Sequence, residues 1–219
     1  MSFRGAFVVV GAGPGLGAAA ARRFGSEGHP VGLIARNAER LDRMSADLAS
    51  HGLPTATETA DVTDEQALTA ALGALRERLG PIEVALFSPR PNLTWIKPVL
   101  DTEPKDLASA LSLNVVAAAS AVRALVPDMR RQRRGTLLFT TGGAAVEPHR
   151  DRAVSAIAYA AESAYVRMLH EALTDDGVHA AQVTVVGPIG PGARHEPDEV
   201  ARHLWQLHTT RDRPLLVMR

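Results

Sequence analysis

The 219-residue chain has no cysteine, so disulfides, thiolate nucleophiles and cysteine-ligated zinc or iron–sulfur centres are excluded together. Lysine is almost missing too: Lys97 and Lys105 are the only two among 24 basic residues, which closes off chemistry that needs an amine further along the chain. Aromatic residues make up 4%, and Tyr159 and Tyr165 are the only phenols. Neither sign of charge is in excess, since 24 basic residues meet 24 acidic ones, and a neutral chain has no global field to draw in nucleic acid or anionic lipid. The apolar run before the first glycine cluster is too short for a signal peptide or a membrane span, so the expected location is cytoplasmic, with no membrane and no nucleic-acid partner. What is present, 46% hydrophobic and 22% charged residues, is the composition of a folded globular domain, and the length suits one domain over residues 1–219.

Short β-branched apolar runs alternate with longer alanine- and leucine-rich amphipathic stretches from one end of the chain to the other. That alternation predicts an α/β fold: a Rossmann-type, doubly wound parallel sheet of about seven strands with helices on both faces. Strands are predicted at 6–10, 31–35, 55–59, 82–87, 135–140, 178–186 and 214–218, and helices at 15–27, 38–50, 64–79, 104–131, 153–174 and 197–208. Thr63 with Gln66 reads as a capping box, Gly80-Pro81 as a stop, and Pro104 as a first helical turn. Arg130, Arg131, Arg133 and Arg134 fall at a helix end, where cations complement the dipole, and are read that way rather than as a phosphate patch.

Directly after the first strand stands GAGPGLG, with Gly11, Gly13, Gly15, Leu16 and Gly17, and a helix follows. Strand, glycine turn and helix in this order make a dinucleotide phosphate site: the turn lets a pyrophosphate approach the backbone, and unpaired N–H groups at the helix start face it. About twenty residues on, where a carboxylate would normally hold the adenosine ribose, the chain reads Ala35-Arg36-Asn37. A guanidinium there suits a 2′-phosphate, so NADP(H) is expected in preference to NAD(H); the competing reading is a solvent-facing Arg36.

These features resemble the short-chain dehydrogenase/reductase superfamily over nearly the whole chain, with GAGPGLG in place of its Thr-Gly-x-x-x-Gly-x-Gly turn. On that resemblance Asp61 and Val62 match the adenine-contacting pair, Asn114 the helix-kinking asparagine, and Gly187 to Ile189 the segment beneath the nicotinamide. The implied function is an NADP(H)-linked oxidoreductase acting on a carbonyl or alcohol.

The match breaks down at two places. The fourth strand ends Phe87-Ser88-Pro89-Arg90 instead of Asn-Asn-Ala-Gly, leaving Ser88 as its polar contact and adding bulk and charge. The family's Tyr-x-x-x-Lys pair is also missing, since no lysine follows Lys105. An ungapped count puts Ser155 at the tyrosine position, Tyr159 at the lysine position and the serine position near Thr141 and Gly142; the rival alignment makes Tyr159 the tyrosine and Ser163 the lysine substitute. Candidate catalytic groups are Tyr159, Ser155, Thr141 and Asn114. Val154, Ile157, Ala158, Ala161, Tyr165, Met168, Leu169 and Ala172 form an apolar stripe predicted to be buried in the core or at an interface, flanked by Ser155 and Tyr159. His195-Glu196 has no second histidine at metal-binding spacing, so no metal site is expected, while His149 and Arg150 are either cleft-bordering or solvated loop residues. The substrate region after residue 189 is short, which predicts an open cleft for a bulky small molecule or a carrier-tethered substrate. A homodimer or homotetramer is expected on the two long helices. A non-redox cyclase, lyase or isomerase, or a cofactor-binding protein without turnover, remain as alternatives.

Overall fold

The computed structural model describes residues 4–219 and contains one seven-stranded sheet. Its strands are β1 Ala6–Val10, β2 Val31–Ala35, β3 Thr55–Thr59, β4 Ile82–Phe87, β5 Gly135–Gly142, β6 Val178–Val185 and β7 Leu215–Met218. They are all parallel, in the order β3-β2-β1-β4-β5-β6-β7, so the chain winds outward from β1 in one direction and then in the other. The helices are α1 Leu16–Ser26, α2 Ala38–Ser50, α3 Glu65–Leu79, α4 Pro104–Leu111, α5 Ala117–Gln132, α6 Ala153–Leu173 and α7 Pro197–Thr210.

Both faces of the sheet are covered, which is why the central strands read as unbroken apolar runs rather than alternating ones. Along β1, Val8 and Val10 join Leu68, Leu75, Phe87, Met129 and Phe139 on the face covered by α3, α5 and α6. Phe7 and Val9 join Phe24, Leu33, Leu138 and Leu204 on the face covered by α1, α2 and α7.

Three local expectations are corrected. The cap of α3 is Asp64, which accepts from the Ala67 N–H, while Thr63 donates twice to Asp61 Oδ1; the longer reach of a carboxylate at 64 wins over the Thr63 box. The predicted helix 104–131 is not uniform, because Ser112–Val116 between α4 and α5 is a π-helical turn. The predicted stripe on α6 maps onto the core only in part: Val154 and Ala158 are buried and Tyr165 and Leu169 pack against the core, but Ile157 and Met168 are exposed, and Glu162, Ser163 and Val166 are buried outside the stripe.

Candidate active site

The carboxyl ends of the strands form the floor of the site, where a doubly wound sheet opens a crevice between chains running in opposite directions. A cleft of about 1150 Å³ is lined there by Gly11 and Ala12 after β1, Arg36 after β2, Asp61 to Thr63 after β3, Arg90 to Leu93 after β4, and Ser109, Ser112 and Leu113 from α4 and the π turn. Gly11 has φ +87°, and a Cβ there would sit 2.5 Å from Pro89 Cα, so neither the conformation nor the space admits another residue. A Cβ at Gly13 or Gly15 would meet nothing within 4 Å, which leaves room above the turn. Gly17 instead faces Ala12 and Val9 and lets α1 lie close to β1. Gly15 is the N-cap of α1, with no capping side chain and no acidic residue in the first turn. The helix therefore presents uncapped N–H groups and an uncancelled dipole to the open turn, beside Leu16.

Arg36 is 76% exposed and lies 3.8 Å from Asp61. Asp61 accepts from the Thr63 N–H and hydroxyl, and those two bonds hold its carboxyl below the usual carboxylate range, with burial opposing. Two further guanidinium groups line the same cleft: Arg90, whose charge the sequence places after the fourth strand, and Arg40, which the sequence reading missed. Arg40 follows Arg36 at i+4 on the first turn of α2, a spacing visible in the sequence, and Asn37 caps that turn by accepting from the Arg40 N–H. Ser88 is half-buried and its hydroxyl accepts from Thr140 at 2.6 Å.

The second half of the site lies where α6 passes the ends of β5 and β6. At 3.6 residues per turn, Ser155, Tyr159, Glu162 and Ser163 fall within an arc of about 100° on α6. That arc faces inward. Tyr159 lies over Gly142 at the end of β5, where a Cβ would be 3.2 Å from Tyr159 Cε2. Burial pushes the Tyr159 phenol up to about 12, with Glu162 adding to the effect and Arg152 opposing it. Thr141 is buried below the cleft and bonds to Gln182 and Thr184, so its hydroxyl is committed to a polar network between β5 and β6. Asn114 is buried at the π turn, and its Nδ2 donates to the Ala110 carbonyl at 2.9 Å. Gly187, with φ +122°, and Ile189 lie in a short loop closed by pairing between Ile189 and His195. His195 is buried and its ring bonds to the Val186 carbonyl. His149 and Arg150 are exposed in the turn before α6, where His149 Nδ1 accepts from the Asp151 N–H.

Neither lysine reaches this half of the site. Lys97 bonds to Asp106 at 2.7 Å and Lys105 to Glu103 at 2.8 Å, both around the start of α4.

Residues 6–195 match the short chain dehydrogenase family. The chain belongs to that family. Among curated relatives of this short-chain dehydrogenase, serine 3-dehydrogenase from Agrobacterium fabrum is 30% identical over 190 residues, 86% of this chain and 71% of the relative. A short-chain dehydrogenase from Rhodopseudomonas palustris shares the fold with a TM-score of 0.86 at 23% identity, covering 98% of both chains. An NADPH-bound short chain oxidoreductase from Pseudomonas aeruginosa PAO1, described as containing an atypical catalytic center, aligns with a TM-score of 0.87 at 19% identity over 95% of this chain and 90% of its own. This short-chain dehydrogenase is thus an oxidoreductase by family, with a seven-stranded Rossmann-type sheet.

Proposed function

We propose that the protein is an NADP(H)-linked oxidoreductase that reduces a carbonyl to an alcohol. The observation that carries this reading is the nucleotide cleft: an open, uncapped phosphate turn faced by Arg36, Arg40 and Arg90, with Asp61 as its carboxylate. Gly11 to Gly17 would hold the pyrophosphate, Arg36 and Arg40 the 2′-phosphate, Asp61 and Val62 the adenine, and Ser88, Gly187 and Ile189 the nicotinamide end. NADPH, when bound, supplies a hydride.

The chain's own contribution is a proton. A phenol pushed up to about 12 keeps its proton at neutral pH but is a weak acid, so Tyr159 can give that proton only to a strongly basic oxygen such as the alkoxide left by hydride transfer. Without a lysine beside it to lower the phenol, turnover is expected to be slow. Ser155, one helical turn away on the same face, would position the substrate oxygen. Leu93, exposed at the wall of the cleft, suits a bulky or carrier-tethered substrate.

Titration of NADPH and NADH into the wild type and Arg36→Ala tests the cofactor assignment. A charge-assisted contact of about 1.5–3 kcal/mol predicts tighter NADPH binding, lost selectively in the variant. Equal affinity for both cofactors in the wild type would overturn it. The position of both lysines away from Tyr159 favours a second reading, a cofactor-binding protein without turnover, and binding with no nicotinamide oxidation across a panel of carbonyls would establish that one.

A further inference from the structure

Three strands set the geometry around the phosphate turn. β1 runs between β2 and β4, with Val10 level with Ile34 on one side and with Phe87 on the other. The turn is tied to both neighbours: the Gly11 and Ala12 N–H groups donate to the Ile34 carbonyl, and the Ser88 N–H donates to the Val10 carbonyl. Adjacent strands lie about 4.8 Å apart, so the ends of β2 and β4 stand about 10 Å apart with the turn between them. Arg36 and Arg40 come to the cleft from the β2 side, and Arg90 comes from the β4 side. A 2′-phosphate seated against Arg36 and Arg40 lies across the turn from Arg90, which is left to meet a different anion.

The backbone holds Arg90 in place for that. Pro89 is packed against Gly11, where a Cβ would come within 2.5 Å of the proline Cα, and Pro91 follows the arginine directly. The first proline has a fixed φ, and the second keeps Arg90 itself in an extended backbone. Beyond them, Asn92 caps the turn Leu93–Trp95 by accepting from the Thr94 N–H and hydroxyl, and Trp95 packs against Ala110, Val154 and Ala158. The loop is anchored on both sides of Arg90. Its side chain is exposed and, among the described residues, has no ion pair or hydrogen bond, whereas Arg36 has Asp61 at 3.8 Å. Asp61 follows β3, with β2 and β1 between it and β4. A guanidinium on a fixed backbone, with no carboxylate to satisfy it, takes an anion at little ordering cost.

We propose that Arg90 binds the pyrophosphate of the dinucleotide from the β4 side and sets the affinity for NADPH and NADH alike. The proposal rests on the cofactor reading above and adds a residue to it. A pyrophosphate diester carries a negative charge on each phosphate; the glycine turn and the start of α1 offer it N–H donors, and Arg90 adds a full positive charge. The family pattern Asn-Asn-Ala-Gly has no charge at this point, so the contact belongs to this chain's Ser88-Pro89-Arg90-Pro91.

The test measures dissociation constants of NADPH, NADH and ADP-ribose for the wild type, Arg90→Ala, Arg90→Lys and Arg36→Ala. ADP-ribose carries the pyrophosphate without nicotinamide or a 2′-phosphate. Arg90→Ala is expected to weaken all three ligands by the same factor, about 10- to 100-fold, and Arg90→Lys to recover part of that loss. Arg36→Ala is expected to weaken NADPH alone. The gap between wild type and Arg90→Ala should close as sodium chloride is raised from about 0.01 M to about 1 M, while the thermal midpoint of the ligand-free protein stays unchanged. A loss confined to NADPH would place Arg90 at the 2′-phosphate, and unchanged dissociation constants with a raised KM for a carbonyl would place it at the substrate; either result overturns the proposal. So does a gap that ignores salt, or a lowered midpoint in ligand-free Arg90→Ala. A wild type that binds none of the three ligands would overturn the cofactor reading along with it, whereas wild-type binding left unchanged by Arg90→Ala would overturn this proposal alone.

Discussion

Gly142 and Tyr159 are best understood as a pair. The ring of Tyr159 occupies the space that any side chain at 142 would need, since even a Cβ would approach Cε2 to 3.2 Å. Gly142→Ser, which would return a hydroxyl to the place the family uses for one, is therefore expected to displace the Tyr159 ring and lower turnover rather than raise it. The measurement is steady-state reduction compared with Gly142→Ala, which carries the same Cβ without the hydroxyl; a gain in the serine variant alone would show that the ring is not held there. Tyr159→Phe is expected to cost about 10²–10⁴-fold in turnover, the usual range for a general acid. Tyr165→Phe is expected to cost little, because Tyr165 is packed against Leu169 and the α5 core and its phenol is simply raised by burial. Of these roles, Tyr159 and Ser155 were legible as neighbours on one helix face. The burial of Glu162 was not, although a lone acid in the apolar run AYAAESAYV was a visible signal, because helical spacing alone does not say which face of α6 turns inward.

That ambiguity belongs to the element. A helix with alanine on nearly every side offers no single apolar face, and the stripe at spacings of three and four from Val154 to Ala172 runs through positions that the fold divides between core and surface. In the fold the polar arc goes inward, where Ser163 meets Gln182, which also bonds to Thr141 and Thr184, and part of the stripe is left outside, with Met168 60% exposed. Gln182 Nε2 faces three hydroxyl oxygens with only two protons while its Oε1 has no partner, so the opposite amide orientation, accepting from the threonines, satisfies this network better. An exposed apolar helix face flanked by alanines permits close helix approach, and pairing of α5 and α6 between two copies is proposed on that ground. Ile157→Glu with Met168→Glu is expected to reduce the scattering mass to that of one chain at micromolar concentration, with the far-ultraviolet spectrum unchanged. A wild type that is already monomeric would refute the pairing. The π turn between α4 and α5 carries its own expectation: Asn114→Ala removes the bond to the Ala110 carbonyl and should destabilise the fold by about 1–3 kcal/mol, measured by urea unfolding.

For the molecule as a whole, the sheet was readable because strands buried on both faces leave long apolar signals and the turns between them carry glycine and proline. The placement of polar groups inside the layers was not, since a buried histidine and an exposed one look alike in sequence. Three of them sit at the amino ends of the strands, opposite the cleft. His29 Nδ1 bonds to the Gly5 carbonyl, His208 bonds to Thr136, and His179 stacks edge-on to His170. Burial is the main cause that lowers each, to about 4 for His179 and His208 against an ordinary 6.5, with His170 beside the first and His29 beside the second adding repulsion. In the unfolded chain these rings take up protons as pH falls through 6.5, whereas in the folded protein His179 and His208 stay neutral down to about 4 and His29 is shifted in the same direction. Their stabilising share is therefore complete above 6.5 and lost between 6.5 and 4. Glu162 opposes this: raised well above 4.5 in the fold, it keeps its proton while the unfolded chain releases one, so its share grows as pH falls. Three histidines outweigh one acid, and the net sign is loss of stability on acidification, at about 1.4 kcal/mol per pH unit for each net proton. Thermal unfolding followed from pH 7.5 to about pH 5 is expected to show a falling midpoint, by about 2–4 °C per kcal/mol for a chain of this length. His179→Gln with His208→Gln should flatten the slope and Glu162→Gln should steepen it. Because the histidines and the phosphate turn lie at opposite ends of the strands, NADPH affinity in the folded protein should not follow the same pH dependence, and a midpoint that rises toward pH 5 would show that the rings are protonated in the fold.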